Sequence, residues 1–399
     1  MNLFDLFAKG RRFLVRKVRC LAAWDWREWC LGWRSCRKFT RLKVSGKTVL
    51  IVEPNSYHAE LLPGFVNYFQ KIGIKTVLLC RREHQQSGVF SRVPAKERPL
   101  MFVMNPALMK CCLKPEWTCN FEYVFLTSSY LAERYGFFGL FFNYLGFDPI
   151  GKKSTFIVEH VLKNIQPEIE AHRFNYRQIF ALNEFSSNQG LLKMLNPHYF
   201  GEVRIQRRKT EPIVFITVGA VFQRGRNAFD ELIQAVQQLE QKGYSNFLIK
   251  VIGRGMDKIF FGKTGISRIC PLGCLDYPQM FSKLEEAHYF LPLLDPNLEN
   301  HREYLTDRTS GSRQLILGFA KIPIIHEAFA SVYGFNEINA VLYTNGGLET
   351  ALERAINMEE HQYFQKVEAL EELKNEIYSK SMTNLLSAMD IVSLASNSQ

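Results

Sequence analysis

No stretch of the 399-residue chain stays apolar for the roughly 18 consecutive positions a membrane-spanning helix needs, which argues against an integral membrane protein. Glycine and proline (25 and 15 residues) are spread along the chain rather than clustered. With 47% hydrophobic and 22% charged residues, the composition excludes disordered, collagen-like and low-complexity classes. The nine cysteines, an odd number, contain no C-x-x-C pair; Cys111 and Cys112 are adjacent, and Cys270 and Cys274 have no matching His/Cys pair nearby. Neither a disulfide framework nor a zinc site is supported, and a reducing cytosol is the natural compartment. The length suits two domains and a remainder, each domain long enough to bury a core.

Acids are scarce over the first 47 residues, and this segment carries nearly all of the net charge of +11. A nucleic-acid binder spreads basic residues over its folded domains, so the leader alone is the electrostatic element and nucleic acid is not an expected partner. Within it, Leu3, Phe7, Leu14, Val18 and Leu21 recur at helical spacing, with Arg11, Arg12, Arg16 and Arg19 on other faces. Trp24, Trp26, Trp29 and Trp33 follow within ten residues. Basic charge, an apolar stripe and clustered Trp are what a helix needs to lie on an anionic lipid surface, so residues 1–43 are expected to contact one. The alternatives are an arm packed on its own domain or an organellar transit peptide, although the Trp content fits the latter poorly.

From Lys47 onward, short apolar runs alternate with helical periodicity. Strands are expected at 47–53, 74–80, 99–104, 122–127, 154–158 and 177–182, then at 212–218, 246–252, 266–271, 287–293, 322–325 and 340–343. Their apolar character on both sides indicates parallel sheets covered on both faces. The reading is α/β, with two Rossmann-like doubly wound domains facing across a cleft. Its segments are a leader at 1–46, an N-terminal domain at 47–205, a C-terminal domain at 206–357 and a helical tail at 358–399. In such sheets ligands bind at the C-terminal edges of the strands.

The candidate chemistry sits at those edges. A strand ends at Gly219 and is followed by Gln223-Arg224-Gly225-Arg226 and a long helix, which places cations beside a helix start. The next strand runs into Gly253-Arg254-Gly255, a dinucleotide fingerprint that lacks its third glycine and so disfavours a nicotinamide enzyme. Ser310-Gly311-Ser312-Arg313 opens a helix. Its free N–H groups and hydroxyls would cradle a diphosphate, or the serine is simply an N-cap. In the first domain, the loop 53–60 carries His58 and Glu60, either of which suits a general base at a hydroxyl. Val158-Glu159-His160 ends a later strand and Asn183-Glu184 another, while a capping or solvated role is the plain alternative for each histidine. The uncharged, Phe-rich segment 135–147 is either a buried helix or a lipid-facing surface, and is too short to span a bilayer.

The succession VFITVGAVFQRG…ELIQAVQQL (214–239), FLIKVIGRG (247–255), ISRICPLGCLDYPQMFSKLEEAHYFLPLLD (266–295), SGSRQLILGFAKIPII (310–325) and VLYTNGGLETALERAI (341–356) resembles the donor domain of the GT-B glycosyltransferases. The likeness is closest to the retaining sugar-nucleotide enzymes of cell-surface polysaccharide synthesis, and it runs over residues 47–390. It implies that Arg224 or Arg226 meets the donor diphosphate, with Gly253, Arg254 and Gly255 forming the glycine turn. It also implies that the strand near Leu272 lines the base pocket, and that Ser310, Gly311, Ser312 and Arg313 approach the phosphates. His160 would contact the donor sugar. The chain departs from the resemblance in lacking the glutamate pair spaced E-x7-E; Glu299, Glu303, Asp307 and Glu327 are the nearby acids.

The implied activity is transfer of a sugar from a nucleotide diphosphate sugar to a saccharide or lipid-linked saccharide, with no further cofactor and no metal. The location would be peripheral, on the cytoplasmic face of the membrane. A non-catalytic assembly partner and a sugar-nucleotide epimerase or hydrolase are the alternatives.

Overall fold

The computed structural model describes residues 26–128, 155–161, 165–166, 176–185, 192–207, 209–219, 226–255 and 267–397. The amphipathic stretch 3–21, the Phe-rich segment 135–147 and Arg224 lie outside them. The chain forms two units: Met1–Ser87, Lys96–Phe180 and Leu386–Gln399 make the first, Gly88–Ala95 and Ala181–Leu385 the second. The larger piece of the second unit, Ala181–Leu385, includes the polar stretch 206–211.

Seven strands form the first sheet: β1 (Thr48–Val52), β2 (Lys75–Cys80), β3 (Leu100–Val103), β4 (Tyr123–Leu126), β5 (Thr155–Glu159), β6 (Ile179–Ala181) and β7 (Lys193–Met194). Their order is β3-β2-β1-β4-β5-β6-β7. Strands β1 to β5 pair in parallel, and all five residues of β1 are buried, as a strand covered on both faces requires. One cover is the helix Leu62–Lys71, whose Phe65 and Phe69 rings lie 5.0 and 5.2 Å from Phe125 of β4.

The second sheet holds β8 (Ile213–Val218), β9 (Phe247–Ile252), β10 (Ile269–Gly273), β11 (Tyr289–Phe290), β12 (Ile322–His326) and β13 (Val341–Tyr343), in the order β10-β9-β8-β11-β12-β13. Every pairing in it is parallel. In both sheets the strand order therefore reverses beside the first strand, between β1 and β4 and between β8 and β11, and each reversal opens a crevice at the strand C-termini. Phe215 of β8 stacks on Tyr289 of β11 at 5.2 Å, fixing the centre of the second core. Helices Leu348–Asn357 and Glu360–Asn397 follow β13 without a further strand, as the charged periodicity after Gly347 predicts.

Part of the leader is a helix, Trp26–Phe39, packed against the first unit. Phe39 is 3% exposed, and its ring meets Phe102 of β3 at 5.4 Å and Phe121 at 5.7 Å. Burying one such ring contributes about 2 kcal/mol, enough to hold the end of a short helix on its sheet. Higher up the helix, Cys36 Sγ sits 3.5 Å from Cys112 Sγ on the helix Pro106–Cys112. The described cysteines are all free.

Candidate functional site

In the first unit the polar groups collect where β1, β4 and β5 end. Glu53 follows β1 and is 1% exposed. Its Oε1 accepts from the Asn55 N–H at 2.7 Å, and its Oε2 lies 2.7 Å from the Thr127 hydroxyl at the end of β4. The same hydroxyl lies 2.9 Å from the Val52 carbonyl, which can only accept. A hydroxyl has one proton; when it goes to Val52, Glu53 must supply the other and be protonated. Burial acts in the same direction, pushing the Glu53 carboxyl up to about 8.

Three residues beyond Asn55 the chain turns tightly, with His58 in the left-handed region at φ 68°. That conformation costs a residue with a Cβ about 1 kcal/mol, and it aims the imidazole at the end of β5. The His58 and His160 rings are 4.5 Å apart. His58 Nδ1 is 3.6 Å from Glu60 Oε1, and His160 Nδ1 is 3.1 Å from Glu159 Oε1. Glu159 is fully buried and also accepts the N–H groups of His160 and Val161, at 2.9 and 3.1 Å. The three side chains that the sequence offers for acid–base work, His58, Glu60 and His160, thus share one surface. Each keeps about a fifth to a quarter of its side chain exposed. Burial lowers the His58 pKa, opposed chiefly by Glu60, so the ring is neutral and able to take a proton near pH 7.

The second unit ends its strands differently. Gly219, Gly253 and Gly273 close β8, β9 and β10, with φ of 142°, 149° and 70°. The Gly219 N–H donates to Ile252 O and the Gly253 N–H to Gly273 O, each at 2.9 Å. A Cβ on Gly253 would lie 1.7 Å from the Gly219 carbonyl oxygen, so no other residue fits there. Arg254 is exposed beside this turn, and Leu272 is half-buried in β10. Arg226 begins the helix Arg226–Gln241 that follows β8.

Beyond the reversal, Leu293 adopts a left-handed φ of 51° after β11. Asp295, two residues on, accepts from the Asn297 N–H at 2.8 Å and donates its own N–H to His301 Nδ1 at 3.0 Å. At the end of β12, His326 Nδ1 accepts from Ala328 N–H at 3.2 Å, which leaves Nε2 to donate to Asn345 Oδ1 at 3.0 Å. Glu231 on the helix after β8 feels Asp295, and its carboxyl is held above the ordinary range by burial and then by that charge.

Ser310 caps the helix Gly311–Phe319, its hydroxyl accepting from the Ser312 N–H at 3.3 Å. Arg313 is 4% exposed: Nε donates to Tyr333 O at 3.2 Å and Nη1 to Leu182 O at 3.4 Å. Its guanidinium ties backbone segments together and is not presented at the helix start. Sequence pattern does not single out Glu53 or Thr127, because a polar residue after an apolar run looks like any strand end, and it offers Glu159 only as the neighbour of His160. Among the described residues no group of three His, Cys, Asp or Glu is placed to hold a metal ion.

No family model and no curated protein matches the chain. Solved structures do. A glycosyltransferase from Rickettsia africae is similar at TM-score 0.54 over 88% of this chain and 99% of that one, with 11% identity. An α-glucosyltransferase solved with UDP and a 13-mer DNA containing an HMU base is similar at 0.56 over 87% and 100%, with 10% identity. An Anabaena protein solved with UDP and glucose is similar at 0.53 over 87% and 100%, with 12% identity. The fold is GT-B. The GT-B strand order accounts for the two crevices described above, one in each unit.

Proposed function

We propose that the chain is a glycosyltransferase that moves a sugar from a nucleotide diphosphate sugar to a saccharide or lipid-linked saccharide. The work would take place at the cytoplasmic face of an anionic membrane, in surface polysaccharide synthesis. The observation that carries the reading is the edge of β8, β9 and β10, where three glycines leave only backbone and Gly253 admits no side chain. Bare backbone beside a helix start is the setting in which a diphosphate can approach closely. Two of the similar structures contain UDP, which supports the same class of donor.

In this reading Arg224 or Arg226, Gly253, Arg254 and the Ser310–Ser312 helix start hold the diphosphate and stabilise the charge it gains on leaving. Leu272 lies along the base. His58, backed by Glu60, takes the acceptor hydroxyl proton as the oxygen bonds to the anomeric carbon and the bond to the diphosphate oxygen breaks. His160 borders the same surface. No metal or further cofactor enters this scheme.

The test is a thermal-shift series with UDP, GDP, CMP, dTDP and their sugar conjugates, on the wild type and Arg224→Ala. One diphosphate at about 100 times its Kd should raise Tm by about 5 °C. The shift should shrink in Arg224→Ala. No shift with any nucleotide would overturn the donor reading in favour of a non-catalytic partner. Consumption of the donor at full rate with no acceptor present would replace transfer with hydrolysis or epimerisation.

A further inference from the structure

A groove of about 870 Å³ runs along the first unit, between the packed leader helix Trp26–Phe39, the segment 41–43, the edge strand β3 and the turn after β2. Its walls carry Arg34, Lys38, Arg41, Lys43, Arg81 and Arg82. Among the described residues Glu83 is the one acid lining it, and Arg81 Nη2 already holds that carboxylate at 2.8 Å. The remaining five cations have no acidic partner among the described residues. Like charges crowded into one concavity repel one another and are relieved by a bound anion.

The groove is also apolar, which separates it from a site for free phosphate. Its lining includes Leu31 and Leu100, which are 47% and 51% exposed. Trp33, on the same helix, is 56% exposed. Exposed leucines at the mouth of a cationic groove suit a ligand with an anionic head and a hydrocarbon body. The helix is held in place to form this wall by Phe39 and by the Cys36–Cys112 contact.

We propose that this groove binds the phosphate head of an anionic membrane lipid, with the start of its hydrocarbon lying against Leu31 and Leu100. The proposal rests on the membrane-surface part of the function given above and is independent of its donor part. It places lipid recognition in a folded groove, at residues beyond the amphipathic stretch 3–21.

The test is co-sedimentation of the full chain with vesicles of phosphatidylglycerol and phosphatidylcholine, and of phosphatidylcholine alone, at 0.15 M salt. The triple variant Arg34→Gln/Lys38→Gln/Arg82→Gln should partition onto the anionic vesicles roughly 100-fold less than wild type, at about fivefold per cation removed. Its Tm and its nucleotide-induced shift should be unchanged, which shows that it folds and keeps the failure of one proposal separate from the failure of the other. Leu31→Ser/Leu100→Ser should weaken vesicle binding while leaving any thermal shift by inorganic pyrophosphate unaltered. Wild-type sedimentation by the triple variant overturns the proposal, as does complete loss of binding in Arg11→Gln/Arg12→Gln/Arg16→Gln alone. Stabilisation by pyrophosphate with no vesicle binding would reassign the groove to a soluble phosphate.

Discussion

The two sheets share the order of their first six strands, and the strands from the first to the edge, β8, β9 and β10 in the second sheet, finish differently from those of the first sheet. In the first unit, β1 runs into Glu53 and β2 into Arg81, with Thr127 and Glu159 at the ends of β4 and β5. In the second, the corresponding β8, β9 and β10 run into Gly219, Gly253 and Gly273. One edge therefore offers side chains that hold and exchange protons. The other offers backbone that a ligand can approach without meeting a Cβ. Topology places a crevice at both edges, but what each can do is decided by the one or two residues after each strand.

The sharpest way to break this contrast is to put a side chain on the glycine edge. Gly253→Ala combines a φ of 149° with a Cβ 1.7 Å from Gly219 O, and the backbone must move to accept it. The expected cost is about 3 kcal/mol, near 6 °C in Tm, together with loss of nucleotide-induced stabilisation. Gly273→Ala sits at φ 70° with nothing within 4 Å of the new Cβ. It should cost only about 1 kcal/mol, from the left-handed conformation alone. Thermal melts of both variants with and without UDP check the pair; equal losses would mean that backbone crowding does not distinguish these turns.

On the side-chain edge the corresponding change is Glu53→Gln. The folded carboxyl titrates at about 8 against an ordinary value of 4.5. Between those two values the folded protein holds a proton that the unfolded chain has released, so stability falls as pH rises through the window. Glutamine keeps a donor toward Thr127 and removes the titration. Above pH 8 the variant should therefore exceed wild type by roughly 5 kcal/mol, with the two converging near pH 4.5. The difference between the two Tm–pH curves isolates Glu53 from the buried histidines, which are common to both. Parallel curves would show that Glu53 stays ionised in the fold.

Most of this architecture is legible in the sequence, because runs such as TVLIV and IVFITV are apolar on both sides and have no helical counterpart of that length. The two-residue β7 leaves no periodicity to read. The site is legible by residue and not by grouping. His58 and His160 come from loops a hundred positions apart, and only the adjacency β1-β4-β5 brings their rings to 4.5 Å. The Glu53–Thr127 pair depends on the same adjacency across 74 positions. Arg313 shows the reverse: after Ser-Gly-Ser it looks like a cation offered to phosphate, while the turn of the helix buries it against two carbonyls. Direction of a side chain on a helix depends on packing, which neighbouring letters do not encode.

A smaller change tests whether the second edge works through backbone at all. Ser310 contributes its hydroxyl to the Ser312 N–H, a cap that alanine removes and that glycine largely spares. Ser310→Ala should cost about 1 kcal/mol, or 2–4 °C, and Ser310→Gly a few tenths of that. Because the helix keeps its free N–H groups in both, the shift produced by the stabilising nucleotide should persist at nearly its wild-type size. His58→Ala, by contrast, should leave nucleotide binding intact and slow transfer by about 100-fold or more. If Ser310→Ala instead abolishes the nucleotide shift, this edge also reads its ligand through a side chain, and the division of labour between the two sheets is narrower than their strand ends imply.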